Sequence, residues 1–189
     1  MEITDGALVA NARAGDADAF RLLVERHSRR LFHLAFRMTG NEQDAEDVVQ
    51  ESFLRAYRRL GQFDERASFG TWLYRIAANC SIDVMRSKGQ RAQQTVENEL
   101  EDPVLSLRSN DPSPERSALS AEVRDRVAEA MNELSPVERA AFVLRHFEGM
   151  RMEEVGRAMG CQTNAAKHSV FRAVQKLRRA LEPLASPAK

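Results

Sequence analysis

The chain has 189 residues, of which 43% are hydrophobic, and its 28 basic and 28 acidic side chains cancel at neutral pH. Such a composition supports one good hydrophobic core or two small ones, and it excludes a disordered or fibrous protein. No apolar run approaches the roughly 20 residues that span a bilayer, and the first residues lack a secretory signal pattern, so we expect a cytoplasmic location.

Helical periodicity runs through residues 1–86 and predicts one compact domain of helices. After a short helix around Leu8, Asp16 can cap a long helix that ends at Gly40, and Asn41 can cap the next one. A third long helix follows the loop GQFDERAS. The residues predicted to face the core include Leu23, Leu31, Leu34, Met38, Val48, Phe53, Tyr57, Leu60, Phe69, Leu73 and Cys80.

An acidic stretch interrupts this periodicity. Residues 87–115 carry a net charge of −3, and the segment ENELEDPVLSLRSNDPSPE contains three prolines. Both features are typical of a linker with at most short helical pieces, and we place a flexible linker at residues 87–116.

Periodicity resumes in residues 117–189 and predicts a second small domain. Ser135-Pro136-Val137-Glu138 combines a capping box with proline at the first helical position, a specific helix start. The helix after it is predicted to turn Phe147 inward and to stop at Gly149. A short helix ended by Gly160 and a longer helix follow. The predicted fold is all-α, with two small helical domains joined by a flexible acidic linker.

The last predicted helix contains TNAAKHSVFRAVQKLRR, residues 163–179, with five Lys or Arg residues and no acid. At 100° per residue, one face is apolar and the opposite face is polar and basic. The apolar face consists of Ala166, Val170, Val174, Leu177 and Leu181. The opposite direction collects His168, Arg172, Gln175 and Arg179, with Lys167 to one side and Phe171 on the flank.

This basic helix has three possible interpretations: a solvated face, a membrane-surface helix or a DNA-recognition helix. An ordinary exposed helix mixes signs to gain i,i+4 ion pairs, and a membrane-surface helix has a bulkier apolar face. The short helix and the GCQT turn before it complete a helix-turn-helix. Because residues 116–189 also carry a net charge of +4, the pattern favours binding in a DNA major groove.

Aromatic and basic residues alternate in FDERASFGTWLYRIAAN, which holds the only Trp of the chain and one of its two Tyr. Rings and an amide donor around a loop suit stacking on unpaired bases and hydrogen bonding to them. The competing interpretation places Phe69 and Trp72 in the core. The other candidates for contact with unpaired bases are Phe63, Arg66, Tyr74, Arg75 and Asn79.

The segment NEQDAEDVVQESFLRAY places carboxylates at helical spacing. A metal site would need further ligands such as His, which the segment lacks, so we expect no metal and no cofactor. A docking surface for a partner, with a polar rim around an apolar centre, fits better, and a solvated face is the competing interpretation. The residues of this surface are Asp47, Gln50, Glu51 and Leu54.

Motifs for catalysis are lacking in the sequence. It contains no glycine-rich phosphate loop and no nucleophile elbow, so we expect a protein that is not an enzyme. Cys80 and Cys161 lie far apart without a CxxC pattern, and we expect both to be small core residues.

Taken together, DAEDVVQESFLRAYRRL, FGTWLYRIAANCSIDVMR, SPVERAAFVLRHFEGMRMEEVGRAMGC and VFRAVQKLRR resemble segments of a bacterial extracytoplasmic-function sigma factor. The resemblance covers residues 5–86 and 117–182 in the order of that family. It implies a promoter-specificity subunit of RNA polymerase. Residues 1–86 would bind core polymerase and melt the minus-10 element, and residues 117–189 would read the minus-35 element.

The resemblance implies a role for each segment. The acidic helix would dock on the clamp helices of the polymerase through Asp47, Gln50, Glu51 and Leu54. A loop from residue 63 to residue 68, which includes Phe63 and Arg66, would capture a flipped minus-10 base together with Ile76 and Asn79. The melted strand would be supported by Trp72, Tyr74 and Arg75. The minus-35 element would be contacted by Arg145, Lys167, His168, Phe171, Arg172 and Gln175.

Two positions depart from the family pattern. Glu65 stands where the loop of the family usually has Gly, and Ser169 replaces the second basic residue at the start of the recognition helix. The resemblance further implies that the linker threads through the polymerase near the RNA path. The chain leaves no room for a sensing domain after the basic helix, so we expect regulation in trans by an anti-sigma protein.

Two hypotheses follow. In the first, the protein is a sigma factor that captures bases and positions the polymerase without chemistry of its own. In the second, it is a homodimeric helix-turn-helix regulator that binds duplex DNA without core polymerase, which leaves the acidic and aromatic segments unexplained.

Overall fold

The computed structural model describes residues 3–94 and 114–185, which form eight α-helices and one 3₁₀ turn and include no β-strand. The helices are α1 (Asp5–Arg13), α2 (Ala17–Thr39), α3 (Glu42–Arg58), α4 (Phe69–Gln94), α5 (Pro114–Asn132), α6 (Pro136–His146), α7 (Met152–Ala158) and α8 (Thr163–Ala185). The 3₁₀ turn, Leu60–Gln62, follows α3. The all-α fold is thereby confirmed. Within the described ranges, no helix is long and apolar enough to span a membrane.

Helices extend into both ends of the segment predicted to be a linker. α4 continues to Gln94 because its last residues, RAQQ, are good helix formers. α5 begins at Pro114, since proline is favoured at the first position of a helix. The rest of the predicted linker, 95–113, lies outside the described residues.

The starts of α2 and α3 and the end of α2 are those predicted from the capping residues. The Asp16 carboxylate accepts hydrogen bonds from the backbone N–H groups at the start of α2, and the Asn41 side chain does the same for α3. Gly40 ends α2 with φ 73°. A side chain there would be strained by this φ and would also crowd the guanidinium of Arg139, because an added Cβ would lie 3.1 Å from Nη2.

Helices α1–α4 pack around one core. The side chains that are at most 1% exposed include Leu8, Leu23, Leu31, Leu34, Met38, Val48 and Leu73. The prediction that Tyr57 faces inward was wrong, since Tyr57 is 55% exposed and its ring meets Phe20 edge-on. A tyrosine at the margin of a core can bury one ring edge while its hydroxyl stays in water.

Helices α5–α8 form the second bundle. The predicted capping box is confirmed: Ser135 accepts from the Glu138 backbone N–H, and the Glu138 carboxylate accepts from the Ser135 N–H. The inward orientation predicted for Phe147 was wrong, because α6 ends one residue earlier and the ring is 52% exposed. The guanidinium of Arg37, from the other domain, lies 4.7 Å from the centre of this ring.

The two domains contact each other through α2 and α4 on one side and α6 and α7 on the other. At the centre of this contact lies Arg139, only 5% exposed. Its Nε donates to the backbone carbonyl of Arg37 at 3.0 Å and its Nη1 to the side chain of Asn132 at 3.1 Å. Burial lowers the pKa of Arg139 to about 10. A cation of α6 thus satisfies a carbonyl at the C-terminus of α2.

Candidate nucleic-acid interface

Helices α7 and α8 form the predicted helix-turn-helix. The turn between them passes close to α7, because a Cβ added at Gly156 would lie 3.0 Å from the carbonyl oxygen of Cys161. α8 is held to its domain by buried side chains, among them Ala166, Ala173 and Leu177. Its opposite face is therefore directed away from the core.

The outward face of α8 is exposed along its length. All the side chains predicted there are exposed to solvent: Lys167, His168, Phe171, Arg172, Gln175 and Arg179. Phe171 is 59% exposed, so its ring is accessible to a binding partner. The structure therefore brings the predicted minus-35 residues of α8 together on one basic face, with the ring of Phe171 on its flank.

One acidic side chain from another helix contacts this basic helix. Glu138 of α6 pairs with Arg172 at 3.4 Å and with Lys176 at 2.7 Å. Burial raises the pKa of Glu138, but hydrogen bonds from Lys176 and Ser135 outweigh burial, and the net pKa is lowered. The sequence pattern indicated only the capping role of Glu138, because periodicity does not show that α6 and α8 are neighbours.

Arg145, predicted to contact phosphate, is exposed at the end of α6. Its Nη1 donates to the backbone carbonyl of Met150 at 2.8 Å, in the segment that leads into α7. The side chain therefore ties the end of α6 to the start of the helix-turn-helix while its guanidinium remains accessible.

The loop from residue 63 to residue 68, called here the capture loop, lies over an aromatic cluster. The ring of Phe63 is 5% exposed and packs 5.2 Å from Trp72 and 6.0 Å from Phe69, measured between ring centres. Arg66 is exposed and pairs with Asp64 at 3.3 Å. The loop thus offers its backbone and Arg66 to solvent, while the ring of Phe63 forms its base.

Two donors of the predicted minus-10 surface contact the second domain. Arg75 donates to the carbonyl of Arg157 at 3.4 Å, and Asn79 donates to the carbonyl of Ala158 at 3.1 Å. Both carbonyls belong to the last turn of α7, and the Arg157 carbonyl also accepts from the Gly160 backbone N–H at 3.3 Å. A cavity of about 330 Å³ lies between the capture loop and α7. Part of the predicted minus-10 surface is therefore covered by the helix-turn-helix domain.

The remaining minus-10 candidates are half-buried on α4: Trp72, Tyr74 and Ile76. Burial, followed by the nearby Glu148 carboxylate, raises the pKa of Tyr74. The aromatic segment therefore combines both interpretations of the sequence, since Phe69 is a core residue while Trp72 and Tyr74 keep one side exposed.

The acidic face of α3 borders an apolar groove. Asp47, Gln50 and Leu54 are exposed, and Glu51 pairs with Arg55 at 2.6 Å. The groove has a volume of about 730 Å³ and runs between α2 and α3. Its lining includes Phe20, Val24, Phe32, Val49, Phe53, Leu54 and Tyr57. The α2 wall of this surface was not predicted, because Phe20 and Val24 fit the apolar stripe that predicts core residues.

Models of known families match both domains. Sigma-70 region 2 matches residues 23–91, and Sigma-70, region 4 matches residues 124–177. The RNA polymerase sigma-H factor of Pseudomonas aeruginosa is 35% identical, and the match covers 95% of each chain. The ECF RNA polymerase sigma-E factor of Haemophilus influenzae is 34% identical, over 97% of this chain and 98% of its own.

Solved structures share the fold. The sigma factor RpoE of Bartonella quintana, determined in complex with the anti-sigma factor NepR, has a TM-score of 0.67 and 23% identity, covering 86% of this chain and 96% of its own. CnrH, determined in complex with the cytosolic domain of CnrY, has a TM-score of 0.64 and 28% identity, covering 95% of this chain and 97% of its own.

Proposed function

The chain belongs to the extracytoplasmic-function (ECF) RNA polymerase sigma factors, and we propose how its two domains share the recognition of a promoter. The protein directs promoter-specific transcription initiation. We assign polymerase docking and minus-10 opening to residues 1–86, the connection to residues 87–116, and minus-35 recognition to residues 117–189. The protein contributes no chemistry of its own and works in the cytoplasm, where the polymerase acts.

The outward face of α8 is the observation that carries the proposal. Over residues 163–179 it is exposed and carries no acidic residue, and it is presented by a helix-turn-helix. Glu182, the one acid of α8, lies beyond this segment. Lys167, His168, Arg172 and Gln175 supply donors for base edges and phosphates, and Phe171 supplies an apolar contact such as a thymine methyl group. Arg145 contacts a phosphate beside this helix.

The capture loop and the adjoining face of α4 take the flipped minus-10 base. The loop backbone and Arg66 face the base, with Phe63 and Trp72 beneath them. Arg75 and Asn79 carry hydrogen-bond donors for the melted strand, but both are engaged with α7. Separation of the two domains therefore precedes base capture.

Core polymerase docks on α3. Asp47, Gln50 and Glu51 form the polar rim, and Leu54, 44% exposed, leads into the apolar groove between α2 and α3. Leu54 is both a predicted docking residue and part of the wall of that groove. The docking surface therefore extends from the acidic face of α3 into the groove.

An anti-sigma protein acts in trans as the regulatory partner. The relative CnrH was solved with the cytosolic domain of CnrY bound, which supports a protein partner for this fold. A partner seated in the apolar groove would cover Gln50 and Leu54 and exclude the polymerase. Regulation by competition for one surface follows from this overlap.

Reconstitution tests the proposal. Purified protein is added to core polymerase, and transcripts are mapped from fragments of the source genome. We expect new start sites that share sequence elements near minus 10 and minus 35. Binding of symmetric duplex sites by a free homodimer, without any effect on the polymerase, would favour the alternative regulator and overturn the proposal.

A further inference from the structure

The capture loop is held by a side chain from outside the segment that resembles region 2. Arg13 is the last residue of α1, and the region 2 match begins only at residue 23. Arg13 Nε donates to the carbonyl of Leu60 at 3.0 Å, and Nη2 donates to the carbonyl of Phe63. One guanidinium thus ties the 3₁₀ turn to the first residue of the capture loop.

The same guanidinium pairs with the side chain of Glu65 at 3.2 Å. Glu65 has φ 59°, and among the described residues it is the only one other than glycine with a positive φ. A residue with a Cβ is disfavoured in this left-handed conformation and remains in it only when its surroundings hold it there. Arg13 is the charged residue whose side chain contacts the Glu65 carboxylate.

Side chains dominate the contacts of this loop. Within the described structure, residues 64–67 make no backbone–backbone hydrogen bonds. The Glu65 side chain is 58% exposed, so its ion pair with Arg13 contributes little by itself. The two bonds to backbone carbonyls are partly buried and charge-assisted, and they therefore carry most of the restraint.

α1 is itself fixed at its other end, so that Arg13 has a rigid base. Leu8 and Val9 are buried in the core, and the Asp5 carboxylate accepts a hydrogen bond from His27 Nε2 at 2.8 Å. The His27 ring packs against Phe69, the first residue of α4, with centres 5.3 Å apart. α1 is therefore anchored beside both ends of the capture loop.

We propose that Arg13 is a positioning residue for minus-10 recognition and that α1 holds the capture loop in the conformation that selects the flipped base. This inference rests on the proposed function, since it assumes that the loop reads a base. Loss of Arg13 leaves the base-contacting groups in place but frees the loop. The expected defect is a loss of selectivity rather than a loss of folding or polymerase binding.

Holoenzyme reconstituted with core polymerase tests the proposal. The probe is a pool of forked DNA with a randomised duplex arm for the minus-35 element and a randomised single-stranded arm for the minus-10 element, sequenced after selection. The variants are Arg13→Ala and Arg13→Lys. The matched control is Arg21→Ala, which removes another exposed arginine with ion pairs, to Asp18 and Glu25, on the neighbouring helix α2.

For Arg13→Ala we expect base preference in the single-stranded arm to fall about five- to tenfold, the lower end of the penalty for a mismatched base. Preference in the duplex arm should stay at the wild-type level. Arg13→Lys should give an intermediate loss, because an ammonium group cannot bridge both carbonyls with the fork geometry of a guanidinium. Arg21→Ala should match the wild type in both arms.

Unchanged single-strand preference in Arg13→Ala, or an equal loss in both arms, would overturn the proposal. If Arg13→Ala does not fold, Arg13→Lys decides, and unchanged single-strand preference in that variant is the overturning result. A wild-type holoenzyme without any base preference in the single-stranded arm would instead contradict the proposed function of the capture loop. The two failures are thus distinguishable.

Discussion

The two surfaces that we propose to contact DNA differ in how much of the molecule builds them. The outward face of α8 belongs to one helix and is exposed along its length. The capture loop depends on Arg13 from α1 and on the ring of Phe63, and its neighbours Arg75 and Asn79 contact α7. The first surface is fully exposed in the packed protein, whereas two donors beside the second, Arg75 and Asn79, are engaged with the other domain.

Aromatic side chains show the same contrast, and the difference in stability between truncating Phe63 and truncating Phe171 should be the largest effect of the changes considered. Phe63→Ala removes a buried ring from its contacts with Phe69 and Trp72, and we expect a loss of about 3–5 kcal/mol in the free energy of unfolding. Phe171→Ala removes an exposed ring and should change that free energy by less than about 0.5 kcal/mol. Urea denaturation measures both unfolding free energies. Equal losses in the two variants would contradict the contrast between a buried Phe63 and an exposed Phe171.

The second prediction concerns DNA affinity through α8. Arg172→Ala should weaken holoenzyme binding to its selected promoter by about tenfold, because a charged donor at a base edge or phosphate is lost. Arg126→Ala, an exposed arginine on α5 of the same domain, is the control and should bind like the wild type. A filter-binding or fluorescence titration measures the two affinities. Equal affinity of the wild type and Arg172→Ala would remove Arg172 from the recognition face.

The third prediction tests the covered state of the minus-10 surface. Arg139→Ala should weaken the contact between the domains by about 1–2 kcal/mol, because the charge-assisted hydrogen bond to the Arg37 carbonyl of the other domain is lost. Small-angle X-ray scattering of the free variant should show a larger radius of gyration than that of the wild type.

Arg139→Met separates the charge of this residue from its packing, since methionine fills part of the same space without hydrogen bonds. We expect the Met variant to open as well. A wild-type radius of gyration in Arg139→Met would contradict this expectation. It would mean that the free-energy cost of burying the Arg139 charge cancels the stabilisation from its hydrogen bonds, so that packing alone holds the domains together.

The smallest expected effect concerns Glu138 and pH. Its folded-state pKa lies below the ordinary value of 4.5, so its stabilising contribution is present above that value and is lost as the pH falls through the lowered pKa. Glu138→Gln should cost about 1 kcal/mol of unfolding free energy at neutral pH, the size of a helix-cap contribution. The difference from the wild type should shrink on acidification below pH 4.5. A difference in unfolding free energy that stays constant across this pH range would contradict the ionised Glu138 carboxylate as the source of the stabilisation.

Local signals predicted most of the helices. Asp16, Asn41 and Ser135 each cap a helix where the sequence indicated a start. A capping side chain contacts backbone groups only two or three residues away, so the relevant geometry is contained in a short stretch of chain. The outward face of α8 was predictable for a similar reason, because the period of 3.6 residues orders side chains around one axis.

Positions at the margins of the cores were predicted less well. Tyr57 and Phe147 fit apolar stripes, yet both are more than half exposed. Periodicity gives the direction of a side chain from its helix axis, but it does not give the distance to the neighbouring helix. Whether another element covers that direction depends on the packing of the whole domain.

By itself, the sequence determined the all-α fold, the helix caps and the basic face of α8, since all three rest on contacts within a few residues. Only the tertiary structure decided that Arg13 holds the capture loop, that Glu138 pairs with Arg172, and that α7 engages Asn79. The partners in these contacts lie far apart along the chain, 79 residues for Asn79 and Ala158. Such pairs form only after helices from different parts of the chain have packed, and no local pattern specifies that arrangement.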